Sequence, residues 1–277
     1  MNLSNLLKNH TALAGAIITT IFLAAVVFGP TLSPWESNTF NFGAALQPPS
    51  AQHWYGTDSL GRDVLTRVLE GARVSLLISV GGVILAMLAG VTIGLYAGYY
   101  GGWFDMTAMR VMDLLFGFPA FVLALFLMVA LGFGVTNVAL AIMLVYLPIF
   151  ARITRNSTEL VRDDPYIQAA RIMGQSAPRI LFRELLPNIS APILVQASVS
   201  IAFGIVIESG LSFIGLGVQP PMPSLGVIMA DGQEYFRPAP WVMTMTGMTI
   251  TVALLALNLL GDGLRDMADP RLKTREA

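Results

Sequence analysis

Residues 163–188, DDPYIQAARIMGQSAPRILFRELLPN, form a polar segment with several arginines between two long apolar runs. The opening aspartates can cap a helix that has Pro165 at its first position, and Gly174 can end that helix in a left-handed turn. Ser176 can cap a second helix, which stops near Pro187. The pattern predicts two ordered short helices in a loop, and such order indicates a surface on which a partner docks.

The composition around this segment is typical of an integral membrane protein. The chain has 277 residues, of which 55% are hydrophobic and only 12% charged, about half the charged fraction of a soluble domain. The net charge of −1 provides no basic surface for nucleic acid. Cysteine is absent, so disulfides, thiol catalysis and cysteine-bound metals are excluded.

Six apolar runs are long enough to cross a bilayer as helices. We therefore expect an all-α polytopic membrane protein with six transmembrane helices. The first run follows only one basic residue and is longer than the core of a signal peptide, so it is interpreted as an uncleaved anchor. The predicted spans are Thr11–Gly29, Val74–Tyr99, Val111–Leu131, Thr136–Phe150, Ile189–Ile207 and Trp241–Leu260.

The distribution of basic residues predicts the orientation of these spans. With the N-terminus inside, twelve of the sixteen lysines and arginines fall on one side, and the positive-inside rule makes that side cytoplasmic. Both termini and the 163–188 loop are then cytoplasmic. We divide the chain into a first span with an outer segment (1–72), a transmembrane domain (73–264) and a cytoplasmic tail (265–277).

Two patterns predict how the spans are packed. Gly90, Gly94 and Gly98 repeat every four residues, and such a small-residue stripe lets another helix approach closely. Packing within the chain is the favoured interpretation, and a subunit interface is the alternative. Arg110 and Asp113 are three residues apart and are expected to pair on one helix face.

The outer segment before the second span ends in GTDSLGRDVLTRVLEGARVSL, residues 56–76. Thr57 or Asp58 can cap an amphipathic helix that lies at the outer interface, and Asp63 and Arg67 have the spacing of an ion pair along it. A solvated helix without a further role is the alternative. The candidate outer-side residues here are Gly56, Thr57, Asp58, Gly61, Arg62 and Asp63.

A second outer segment begins at Glu208, which directly follows an apolar run and is therefore expected at the membrane boundary. Carboxylates there can serve proton relays or contact solute, although bonding to nearby backbone amides or to an arginine is the favoured interpretation. Gly215, Gly217 and three following prolines prevent a continuous helix, so the chain must turn back at the outer face.

The sequence lacks the residues that an enzyme of this size would need. Neither lysine belongs to a phosphate-binding Gly-x-x-x-x-Gly-Lys-Ser/Thr motif. His10 and His53 fall on opposite sides of the membrane and cannot form one metal site. We therefore expect no catalytic residue, no metal and no cofactor on this chain.

Three separated motifs carry a family resemblance that covers essentially the whole chain. QAARIMG followed by LLP resembles the EAA loop of membrane subunits in bacterial ATP-binding-cassette (ABC) importers, with glutamine where the family usually has glutamate. GTDSLGRDVLTR and ESGLSFIGLGVQPPMPSLGVIM resemble the dipeptide/oligopeptide/nickel permease family, second permease type. The residues that the resemblance assigns to ATPase coupling are Gln168, Ala169, Ala170, Arg171, Gly174 and Pro187.

The resemblance implies a type I ABC importer fold in a bacterial inner membrane, with this chain forming half of a translocation path through membrane lipid. The implied partners are a homologous second permease, two subunits that bind ATP and magnesium, and a periplasmic or extracellular solute-binding protein. Peptides, nickel or other metal chelates, glutathione-like compounds and glycosides remain open as solutes. An ion-coupled secondary transporter is the alternative class, but it would need internal repeats and several buried ionisable groups.

Overall fold

The computed structural model describes residues 10–268. Lys8 and residues 269–277, most of the predicted tail, lie outside this range. Within it the chain is helical, apart from loops and one isolated bridge between Thr57 and Asp63. The helices are α1 His10–Leu32, α2 Val64–Tyr100, α3 Gly102–Phe116, α4 Ala120–Leu131, α5 Val135–Val161, α6 Pro165–Ile172, α7 Ala177–Arg179, α8 Leu186–Asn188, α9 Ser190–Phe213, α10 Leu225–Gln233 and α11 Pro240–Ala268.

Five of these helices are long and apolar enough to cross a membrane: α1, α2, α5, α9 and α11. The sixth predicted span, Val111–Leu131, is not one helix, because α3 and α4 meet at an angle of 91°. Pro119 lies in the break and explains it: proline lacks an N–H donor and disfavours helical backbone in the residue before it. If the bent pair counts as one crossing, the chain has the six crossings expected.

Helix α2 differs most from the sequence-based expectation. It has 37 residues and is about 55 Å long, well beyond a hydrocarbon core of about 30 Å. The predicted amphipathic outer helix and the second span are therefore one continuous helix rather than two. The helix is capped by Asp63, whose carboxylate accepts the Thr66 amide at 2.8 Å, rather than by Thr57 or Asp58.

Helix α5 also continues beyond its predicted end at Phe150. It runs from Val135 to Val161 with Pro148 inside it, because the polar residues after Phe150 keep helical geometry outside the apolar layer. Its arginines pair with α3: Arg155 contacts Asp105 at 2.7 Å, and Arg152 pairs with Asp113. The predicted pair of Asp113 with Arg110 was therefore wrong, because α5 brings a closer cation from a distant part of the sequence.

The glycine stripe of α2 packs against α5 of the same chain. A Cβ atom at Gly90 would lie 2.7 Å from Phe150 Cβ, and one at Gly94 would lie 2.4 Å from the Ala151 carbonyl oxygen. At Gly98 it would lie 2.7 Å from the Arg155 carbonyl. The backbones of the two helices therefore approach as closely as a small-residue stripe allows. This seam lies beside the largest buried apolar cluster of the chain.

Candidate functional site

The 163–188 loop folds into α6, α7, a π-helical segment at Ile180–Leu185, and α8. Gly174 has φ +75° and follows Met173, the C-cap residue of α6, and this is the predicted left-handed turn. The Gln175 amide donates to the Ala170 carbonyl at 3.1 Å, the six-to-one bond of a Schellman motif. Asp164 and Ser176 occupy the N-cap positions, but neither side chain makes the capping hydrogen bond.

One face of α6 belongs to the core of the chain. Ile167 and Ala170 are buried and pack in the same apolar cluster as Ile180, Leu181 and Leu185 of the π-helical segment. This corrects one expectation: the surface of Ala170 is covered by the chain itself and is not available to a partner. The small side chain of Ala170 allows α6 to lie against the π-helical segment.

The opposite face of α6 is exposed and apolar. Ile172 is 87% exposed and Met173 71% exposed, and Ala169 lies beside them on the surface. We call these three residues the α6 patch. Large apolar side chains held outward by an anchored helix are typical of a protein interface. Pro187 is also exposed, at the other end of the loop.

Gln168 uses its side chain within the loop. Its Nε2 donates to the carbonyl oxygen of Asp163 at 2.8 Å, closing the turn into α6. A glutamate in this position could not donate this bond when ionised. The departure from the family's usual glutamate therefore has a local structural use.

Arg171 connects the loop to the cytoplasmic end of α2. Its guanidinium lies 4.7 Å from the centre of the Tyr99 ring, and its Nε donates to the Tyr99 hydroxyl at 3.1 Å. Arg162 adds a second connection by donating to the Gly98 carbonyl at 3.0 Å. No local signal pointed to Tyr99, because 72 positions separate it from Arg171. The contact joins α6 directly to α2.

The first outer motif folds into a compact turn before α2. Gly61 has φ +72°, and a Cβ atom there would lie 1.7 Å from the Asn41 carbonyl oxygen, so only glycine fits. The Asp58 carboxylate accepts the Leu60 amide at 2.9 Å and the Arg62 amide at 3.0 Å. Gly56, also at positive φ, packs under Trp241, whose indole donates to the Thr57 carbonyl at 3.1 Å.

The same turn carries a cluster of charges that includes a residue missed at the sequence level. Arg62 and Arg67 both reach Asp231 of α10, at 3.3 and 3.2 Å, and Arg62 Nε also contacts Asp58 at 2.6 Å. Burial raises the pKa of the Asp231 carboxyl, and the two arginines oppose that shift. The predicted Asp63–Arg67 pair was wrong, because the Asp63 carboxylate is occupied by Thr66 and by His53 Nδ1 at 2.8 Å.

Glu208 lies fully buried near the outer end of α9. Ser212 donates to its carboxyl at 2.7 Å and Ser209 at 3.4 Å, and the hydroxyls of Ser75 and Ser224 lie close to it. The prediction that Glu208 bonds to backbone amides or to an arginine was therefore wrong. Serine hydroxyls from α2, from α9 and from the start of α10 meet at this single carboxyl.

The turn after α9 brings two predicted glycines close to these serines. Gly215 has φ +81°, and a Cβ atom at Gly217 would lie 2.2 Å from the Ser212 hydroxyl. Together with the arginine contacts of Asp231, the Glu208 cluster holds both ends of α10 against α2. We call this arrangement the outer clamp. Among residues 10–268, no group of three or more histidine, aspartate or glutamate side chains could hold a metal ion.

Comparison with protein families identifies what this architecture belongs to. Residues 90–274 match the model of the binding-protein-dependent transport system inner membrane component family. The chain belongs to this family. Residues 3–49 of the permease also match the N-terminal transmembrane domain of oligopeptide transport permease C.

Curated relatives align with the permease over nearly its whole length. It is 40% identical to the dipeptide transport system permease protein DppC of Alkalihalophilus pseudofirmus, covering 96% of this chain and 88% of the relative. It is 40% identical to the glutathione transport system permease protein GsiD of Pectobacterium atrosepticum, with 97% and 89% covered. The di/tripeptide transport system permease protein DppC of Pseudomonas aeruginosa is 39% identical, with 96% and 89% covered.

The fold has a counterpart among solved structures. An inward-facing structure of the MetNI methionine ABC transporter matches with a TM-score of 0.59 at 17% identity, covering 73% of the permease and 96% of the matched chain. The permease therefore has the type I ABC importer transmembrane fold, and its family makes it an inner-membrane component of a transport system.

Proposed function

We propose that this permease forms half of the translocation path of an ATP-driven importer of short peptides or a related small solute such as glutathione. It pairs with a homologous second permease, binds two ATPase subunits at its cytoplasmic loop, and receives solute from a periplasmic or extracellular binding protein. ATP and magnesium are bound by the ATPase subunits, so this chain itself is not an enzyme.

The α6 patch is the observation that carries this proposal. One face of α6 is fixed in the permease core through Ile167 and Ala170, whereas the opposite face presents Ile172 and Met173. A helix that is anchored on one side and apolar on the other can insert into a groove and follow the groove when it moves. The ATPase contact is therefore expected at Ala169, Ile172 and Met173, with Arg171 and Gln168 at its edge.

Motion of the loop has a direct route into the membrane domain. Arg171 holds Tyr99 at the inner end of α2, and α2 continues without a break to the outer clamp at Arg67. When ATP draws the two ATPase subunits together, α6 moves with them and α2 pivots as a rod. The permease pair then exchanges between inward-facing and outward-facing states, whose populations depend on ATP binding.

The solute class rests on the relatives. Those named above are named for dipeptide, di/tripeptide and glutathione transport, and all three solutes carry peptide-type amides and charged groups. This shared chemistry favours a short peptide or glutathione-like solute over a metal chelate or a glycoside. The binding protein presents the solute and makes most of the selection.

Cross-linking tests the docking surface without ambiguity, because the chain contains no cysteine. A single cysteine at Met173 should cross-link to an ATPase subunit in the assembled complex, and the yield should change with ATP. Trp103→Cys is the matched control, since Trp103 is 77% exposed and lies at the cytoplasmic end of α3. Equal yields from the two positions would contradict the assignment of the α6 patch.

A further inference from the structure

A small pocket in the outer segment before α2 has no role in the mechanism above. It has a volume of about 230 Å³ and lies between two stretches of the segment, residues 35–41 and 53–63. The Asn41 amide joins these stretches by donating to the Leu60 carbonyl at 3.1 Å. The lining residues whose chemistry bears on binding are Trp35, Glu36, Phe40, His53 and Asp63.

His53 offers this pocket a hydrogen-bond acceptor. Its side chain is only 6% exposed, and its Nδ1 lies 2.8 Å from Asp63 Oδ1. The other carboxylate oxygen of Asp63 accepts the amide and the hydroxyl of Thr66, at 2.8 and 2.7 Å. Because a carboxylate accepts hydrogen bonds, the contact with Asp63 places the imidazole proton on Nδ1 and leaves a lone pair on Nε2. Within residues 10–268, no protein group donates to Nε2.

Aromatic rings form part of the pocket wall. The Trp35 ring lies against the imidazole of His53, with 4.6 Å between the ring centres. The Trp35 indole donates to the Gln52 carbonyl at 3.2 Å, which fixes the orientation of the ring. Phe40 is a second lining ring and stacks on Phe42 at 6.2 Å. The faces of such rings attract cations.

The charges that line the pocket also favour a cation. Glu36 is exposed at the pocket, and its Oε2 accepts the Thr39 hydroxyl at 3.2 Å, so Oε1 is left for a further donor. Asp63 contributes a second carboxylate. Among residues 10–268, no lysine or arginine lines the pocket. A ligand with positive charge therefore complements it, whereas an anion would be repelled.

Arg62 is the cation beside this wall, but its charge is already offset. Its guanidinium carbon lies 5.8 Å from the centre of the Phe40 ring. The guanidinium is paired with Asp58 at 2.6 Å and with Asp231 at 3.3 Å. It therefore does not neutralise the carboxylates that line the pocket.

We propose that this pocket binds a primary ammonium group, which donates to His53 Nε2 and Glu36 Oε1 and lies against the rings of Trp35 and Phe40. A volume of about 230 Å³ is below the range of about 300–1,000 Å³ that is typical of small-molecule sites. The pocket therefore takes an amino group and the atoms next to it rather than a whole peptide. This inference does not depend on the α6 patch or on the ATPase partners.

The histidine content of the chain provides a direct readout. The chain has two histidines, His10 and His53, so nitrogen-15 labelling of histidine in a His10→Gln background reports on His53 alone. The full-length chain in lipid nanodiscs is titrated with ethylammonium at about pH 8, where alkylamines are protonated. The Nε2 resonance should shift and saturate, whereas ethanol, which lacks the charge, should leave it in place. Absence of a saturable shift, or an equal response to ethanol, would overturn the proposal.

Two carboxylate variants test the contribution of charge. Glu36→Gln should raise the dissociation constant of ethylammonium about fivefold, the effect of losing one exposed ion pair. Glu234→Gln is the matched control, because Glu234 is an exposed carboxylate that follows α10 and lies outside the pocket. Its dissociation constant should equal that of the unmodified chain. Equal constants for the two variants would refute the assigned site.

The source of the ammonium group is determined by a second titration. Dialanine carries a free amino group, and N-acetyl-dialanine lacks it. A shift with dialanine alone would assign the pocket to the amino end of a peptide, whereas a shift with ethylammonium but with neither peptide would assign it to a lysine side chain of a neighbouring protein. An equal shift with both peptides would show that the amino group is not recognised and would contradict the proposal.

Discussion

The close packing of α2 on α5 makes a quantitative prediction at Gly94. In a Gly94→Ala variant the new Cβ would lie 2.4 Å from the Ala151 carbonyl oxygen, whereas ordinary contacts begin at 3.4 Å. One backbone must therefore move by about 1 Å (3.4 − 2.4). Overpacking of this kind costs about 1–3 kcal/mol, and the better helix propensity of alanine recovers about 0.5–1 kcal/mol of it.

Gly81 of the same helix provides the control. A Cβ atom there would meet nothing within 4 Å, so Gly81→Ala should gain about 0.5–1 kcal/mol from helix propensity alone. The difference between the two variants isolates the steric effect and should be about 1–3 kcal/mol. Thermal unfolding followed by tryptophan fluorescence, at one scan rate and in one detergent, should place the Tm of Gly94→Ala below that of Gly81→Ala. Equal Tm values would refute the close α2–α5 packing.

Three further variants test the loop and the outer clamp. Gln168→Glu removes the donor that closes the turn into α6, at a cost of about 0.5–1.5 kcal/mol, so limited proteolysis of the loop should be faster while the ATPase subunits still co-purify. Tyr99→Leu removes the ring beneath Arg171, a contact worth about 0.5–1 kcal/mol; more ATP should be hydrolysed per solute imported, with assembly unchanged. Glu208→Ala leaves buried hydroxyls without an acceptor at a cost of about 1–3 kcal/mol, so its Tm should fall below that of Glu208→Gln, which keeps a hydrogen-bonding partner.

The parts of the fold that the sequence predicted correctly depend on local chemistry. Long apolar runs require helices in a bilayer, since every backbone polar group must be satisfied within the segment. The left-handed turn after α6 was predictable because Gly174 follows a short helical pattern, and only glycine adopts this backbone conformation readily.

Several errors arose because hydropathy was taken as the guide to helix boundaries, and two of them show why. The apolar run Val111–Leu131 is continuous in composition, yet Pro119 breaks it. In helix α2 the composition changes near Val74, but no proline breaks the backbone there. The helix therefore runs without interruption from Val64. In these two places the position of proline, rather than the apolar composition, decides where a helix ends.

The remaining features depend on contacts between distant parts of the chain. Ala170 and Ala169 are adjacent and chemically identical, and only the packing of the π-helical segment decides which one is buried. No sequence motif marks Asp231, and its contacts with Arg62 and Arg67 form only because α10 folds beside these two arginines. A single sequence does not show which distant residues contact each other in the fold.

In the proposed mechanism, the α6 patch couples this permease to the ATPase subunits. The most direct measurement is solute uptake into proteoliposomes that contain the assembled transporter, its binding protein and ATP, compared for the unmodified chain and Ile172→Asp. A carboxylate at this exposed position leaves the core contacts of Ile167 intact but places a charge in the apolar contact. We predict ATP-dependent uptake by the unmodified chain and its loss in Ile172→Asp, with the permease still inserted and paired. Undiminished uptake by Ile172→Asp, or uptake driven by a proton gradient without ATP, would contradict the account.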